Sequence, residues 1–111
     1  MKRIIREATA QDVDQLSAIY TVCKQQLQHR KNRFEYDPAL WHIYLKDARY
    51  RVLVLEGRII TGVILAYETT NNEWQIAQPL VLQEYKKPYD CEMLYDTMKK
   101  RLASLQLASA L

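Results

Sequence analysis

A chain of 111 residues is long enough for one packed domain and too short for two. Hydrophobic residues make up 49% of it, which supplies a core and excludes a disordered chain, and no apolar run approaches the roughly 20 residues of a membrane span. The formal net charge of +3, from 16 cations interspersed with 13 acids, is too small and too mixed for a dedicated nucleic-acid surface.

The cysteines and histidines narrow the classes further. Cys23, Cys91, His29 and His42 are too widely spaced for a zinc site, and two cysteines make no disulfide framework. The opening "MKRIIREATAQDVDQ" is charged and lacks the apolar region of a secretory leader. These features predict a cytoplasmic protein with reduced thiols, no metal and no membrane anchor.

Residues 3–8, "RIIREA", read as a first strand. Thr9 then stands as a helix N-cap with Asp12 three residues on, at the acid position of a capping box. Val13, Leu16, Ile19, Tyr20, Cys23 and Leu27 recur at helical spacing, which predicts a helix over residues 10–29 with Cys23 as a core thiol. "HRKNR" is a basic connection. Asp37-Pro38 opens a second, short helix carrying Leu40, Trp41, Tyr44, Leu45 and Ala48, with His42 on its surface.

"YRVLVLEGRIITGVILAYETT" holds two β-branched runs around Glu56-Gly57-Arg58, the pattern of a hairpin, in which both glycines, Gly57 and Gly62, are assigned structural places. "WQIAQPLVLQ" follows as a further strand with Trp74, Ile76, Leu80 and Leu82 at even spacing. Pro79 cannot donate to a ladder, so the strand is expected to be irregular or bulged there. A last helix is predicted over residues 90–106, with Cys91, Leu94, Met98, Leu102 and Leu105 on its apolar face. The order β-α-α-β-β-β-α gives an α/β fold: one domain over residues 1–111, a mainly antiparallel sheet of about four strands, and helices packed on it.

"IREATAQDVDQL", the hairpin "VLVLEGRIITGVILAYE", the strand "LVLQEYKK" and the helix "EMLYDTMKKRL", in that order, resemble the GNAT superfamily of acetyl-CoA-dependent N-acetyltransferases. The resemblance spans nearly the whole chain. It implies transfer of an acetyl group from acetyl-CoA to a small-molecule or peptide amine. It also implies cofactor contacts from the backbone of Leu80, Val81 and Leu82 and from the turn that holds Lys86, Lys87, Tyr89, Asp90 and Cys91.

The same resemblance exposes departures. The family's pyrophosphate loop reads Gln/Arg-x-x-Gly-x-Gly/Ala, and here Lys86 holds the first position while Tyr89 and Cys91 stand where glycines are expected. Asp90 and Glu92 bring negative charge to the helix start, where the carboxylate of Asp90 is expected to cap the amides that a phosphate would use. The family's general base, an acid in the fourth strand, has no counterpart beyond Glu73. Tyr85, Tyr89 and Tyr95 are the phenols at hand, and no residue is assigned as a catalyst. The chain is expected to lack the C-terminal part of the family fold, which predicts a degenerate acetyl-CoA site. An alternative is a non-catalytic interaction module that homodimerises through the edge of the fourth strand.

Overall fold

The computed structural model describes the backbone of residues 2–24 and 36–110, and the side chains of these except residue 38 and residues 106–110. Five strands and three α-helices follow in the order β1 (Ile4–Glu7), α1 (Val13–Cys23), α2 (Trp41–Lys46), β2 (Tyr50–Glu56), β3 (Ile60–Glu68), β4 (Trp74–Ile76), β5 (Leu80–Val81) and α3 (Asp90–Ala110). All strand pairings are antiparallel, in the order β1-β2-β3-β4, with β5 also on β3.

The expected fourth strand is thus two strands on one partner. Leu80 and Ala77 lie three residues apart, yet they meet Val63 and Leu65 of β3, which lie two apart. One extra residue is taken up around Gln78-Pro79, the bulge that Pro79 forecast. The fold class stands, with five strand segments where about four were expected.

The sheet is covered on both faces, so β2 and β3 read as continuous apolar runs rather than alternating ones. Val52, Val54, Val63, Leu65 and Leu80 face α1 and α2, where Leu16, Ile19, Cys23, Trp41 and Tyr44 meet them. Leu53, Leu55, Ile64, Ala66 and Val81 face α3, where Leu94, Met98 and Leu102 pack. Gly62 allows that second contact to be close, since a Cβ there would lie 3.2 Å from Leu94 Cδ1 and 3.3 Å from Val81 Cγ2. Gly57 adopts no positive φ, so its place in the hairpin is not conformational; it lies against the stem of Arg3.

Helix boundaries follow local chemistry with some shifts. Residues 10–12 form a 3-10 turn before α1, and the predicted part of that helix beyond residue 24 lies outside the described residues, as does "HRKNR". Asp12 accepts from the Thr9 amide at 2.7 Å, as a capping box requires. It is also held by Arg6, whose Nη1 and Nη2 donate to it at 2.8 and 3.0 Å while Nε and Nη2 reach Glu56 at 3.0 Å. Asp37 caps the next turn by accepting from Ala39 N at 2.9 Å. His42 is exposed and Cys23 is buried, as expected. Helix α3 starts at Asp90 as predicted but runs on to Ala110.

Candidate functional site

The turn between β5 and α3 gathers most of the residues singled out from the sequence. Lys86, Lys87, Pro88 and Tyr89 are exposed. Asp90 N donates to Lys87 O at 3.2 Å across Pro88 and Tyr89, and Tyr89 has φ of 72°. Proline second and a positive φ third is the arrangement of a type II turn, whose third position favours glycine. A tyrosine here therefore holds the backbone that a glycine would hold, with its ring 70% exposed.

Asp90 does not cap the helix amides, contrary to the sequence-based expectation. Its side chain is fully buried and accepts from Arg3 Nη1 at 3.0 Å, Arg3 Nη2 at 2.8 Å and Lys87 N at 2.8 Å. The guanidinium of Arg3 holds this carboxyl below the usual range and neutralises its charge. The amides of Cys91 and Glu92 have no acceptor among the described residues. Two donors and the positive end of a long helix thus remain directed at the turn, which suits an anion.

An open cleft of about 390 Å³ lies between the strand break and the first turns of α3, lined by Pro79, Cys91, Glu92, Tyr95 and Asp96. Cys91 was expected at the site. Glu92 and Asp96, one turn apart, give the cleft negative charge, and Tyr95 is the phenol that lines it. Tyr85 and Tyr89 do not line it.

The strand contribution is narrower than expected. Leu80 and Val81 are buried with side chains on opposite faces, and Leu82 is half-buried with its amide donating to Thr61 O at 2.9 Å. In this register Leu80 and Leu82 turn their backbone groups towards β3, and Val81 turns its own outward. The Val81 carbonyl takes Cys23 Sγ at 3.5 Å, and Tyr36 OH donates to Gln78 O at 2.8 Å. Burial pushes the Tyr36 phenol well up, so it acts as a fixed donor that holds the bulge.

Arg3 and Asp96 were not singled out from the sequence. Arg3 lies 87 residues from Asp90, and no local pattern signals that pair. Among the described residues there is no cluster of His, Cys, Asp or Glu able to hold a metal, and no helix long and apolar enough to cross a membrane.

No family model matches the sequence, and no curated protein does. Solved structures do match. An acetyltransferase from Vibrio fischeri superposes with a TM-score of 0.67 at 20% identity, over 92% of this chain and 88% of that one. A predicted acetyltransferase from Clostridium acetobutylicum, solved with acetyl-CoA, gives 0.67 at 13% identity, over 95% and 76%. A GNAT family acetyltransferase from Staphylococcus aureus gives 0.65 at 16% identity, over 95% and 81%. At these identities the likeness is one of fold, and this chain has the fold of the GNAT acetyltransferases.

Proposed function

We propose that this GNAT-fold protein is related to the acyl-CoA N-acetyltransferases and binds acetyl-CoA, with the pyrophosphate at the turn before α3 and the pantetheine arm in the adjoining cleft. The single observation that carries the reading is the backbone at Tyr89, which keeps a glycine-type conformation without a glycine. On this reading the site departs from the family in residue type while the turn keeps a glycine-like conformation at Tyr89. The Cys91 and Glu92 amides would meet phosphate oxygens, Lys86 and Lys87 would add positive charge, and Arg3 removes the repulsion that Asp90 would exert.

When bound, acetyl-CoA supplies an activated thioester. Transfer forms an amide bond to the acceptor nitrogen and releases the thiol. Glu92 and Asp96 make the cleft better suited to a cationic amine than to an acid. No side chain is assigned the proton transfers.

Thermal unfolding with and without millimolar acetyl-CoA tests the reading. A ligand at 100 times its dissociation constant stabilises by about 2.7 kcal/mol. We expect a saturable rise in Tm that weakens in Arg3→Met, where the cation that offsets Asp90 and anchors the turn is gone. A folded protein whose Tm does not respond to acetyl-CoA refutes the proposal.

A second reading, a homodimer formed through the fourth strand, is favoured by β4, which ends the sheet with Trp74–Ile76. The Gln78 and Val81 carbonyls are already engaged, so pairing between copies would be limited to those three residues. Solution mass tests it, and a monomer at high protein concentration sinks it.

A further inference from the structure

A second pocket lies far from the turn. It holds about 220 Å³ between the end of β1, the start of β2 and the C-terminal half of α3, and its walls include Glu7, Arg51, Leu53, Met98, Arg101 and Leu105. Arg101 follows Asp90 by eleven residues, which is about 16 Å along the helix.

The polar side of this pocket is under-paired. Glu7 Oε1 stands 3.7 Å from Arg51 Nη1 and 4.0 Å from Arg101 Nη1, so one carboxylate is shared by two guanidiniums and is beyond hydrogen-bond distance of both. Arg51 Nε is buried and has no partner among the described residues. Glu7 is thus the anion between two arginines of different elements, held by ion pairs longer than a hydrogen bond. Leu53, Met98, Ser104 and Leu105 complete the lining, with Leu53 and Met98 buried at its base and Leu105 half-buried.

We propose that this pocket binds a small organic monocarboxylate, its carboxylate on Arg51 and Arg101 and its apolar body against Leu105. Two cations and one acid leave a net charge of +1, which matches a monoanion. The guanidinium fork matches a planar carboxylate, and the exposed part of Leu105 favours a hydrocarbon body over a bare oxyanion. The volume admits about seven water-sized groups at roughly 30 Å³ each, the scale of a short fatty acid. Glu7 acts as an internal placeholder that the ligand displaces.

Titration with hexanoate, followed by NMR on the Arg51 Nε–H signal, tests the proposal. The signal should shift saturably. Arg101→Gln should weaken binding about tenfold, the loss expected of a charge-assisted contact. Glu7→Gln should tighten it several-fold. Inorganic phosphate should shift the signal less than hexanoate at equal concentration. The proposal is overturned if neither the wild type nor Glu7→Gln responds at tens of millimolar hexanoate, if Arg101→Gln binds as well as the wild type, or if phosphate binds as tightly as hexanoate. None of these outcomes depends on acetyl-CoA, so each is read independently of the turn before α3.

Discussion

Replacing Tyr89 with glycine should make the protein more stable, although it removes a large side chain. At φ of 72° a residue with a Cβ stands in the left-handed region, which costs a non-glycine residue roughly 1–2 kcal/mol. Glycine removes that cost but adds freedom to the unfolded chain, which takes back roughly 0.4–1 kcal/mol. The ring is 70% exposed, so little buried area is lost with it. The balance runs from zero to about 1.6 kcal/mol and centres on about 0.8 kcal/mol, or roughly 3–6 °C in Tm for a domain near this size. Tyr89→Val should move the other way, since a β-branched residue tolerates positive φ least. Differential scanning calorimetry of the three proteins measures both shifts. Under the acetyl-CoA reading, Tyr89→Gly should also bind the cofactor more tightly, because its backbone can approach a phosphate more closely. If glycine lowers Tm, the ring contributes packing that outweighs the strain, and the account of Tyr89 as a glycine surrogate fails.

Two further predictions concern the supports of this turn and of the helix behind it. Gly62→Ala should destabilise by about 1–2 kcal/mol in urea unfolding, because its Cβ would sit 3.2 Å from Leu94 Cδ1 and 3.3 Å from Val81 Cγ2. The cost should shrink when Leu94 is also alanine, and an undiminished cost would place the strain elsewhere. Asp12 and Asp90 are both held below their ordinary values, by Arg6 and Arg3 respectively. A carboxyl with a depressed folded-state pKa contributes stability that is complete above the unfolded value, about 3.9, and is lost as pH falls through the folded value. The urea midpoint should therefore hold steady from neutral pH down to about pH 5 and fall steeply below about pH 4. Asp90→Asn should lower the plateau and flatten the fall. An unchanged slope in that variant would mean that the Arg3–Asp90 pair contributes nothing to stability.

The order of elements along the chain, the irregularity at Pro79, the core position of Cys23, the start of α3 and its apolar face were all legible in the sequence, because each rests on periodicity or on the preferences of particular residue types. Proline signals a ladder break wherever it stands. The long-range partners were not legible. Asp90 reads locally as a helix cap, and only folding brings Arg3, just before the first strand, close enough to claim its carboxylate through two donors at 2.8 and 3.0 Å. Asp96 escaped notice because a charged residue on an amphipathic helix normally faces solvent. Here the strand break at Pro79 opens a cleft against that face.

The turn before α3 shows why residue type and backbone shape can part company. Glycine is favoured at such a position because it reaches positive φ without penalty, yet the penalty for other residues is small, roughly 1–2 kcal/mol. The surrounding structure can hold a tyrosine there once other contacts determine the path of the chain. Pro88 fixes the preceding dihedral, the Lys87 carbonyl accepts from Asp90 N, the Lys87 amide is bound by the Asp90 carboxylate, and Arg3 anchors that carboxylate from the other side. With the path set by these constraints, glycine is dispensable to the shape of the turn. The Arg3–Asp90 pair therefore matters more to the shape of this turn than any residue within the loop motif, and losing it should disturb the turn more than any single change at Lys86, Lys87 or Cys91.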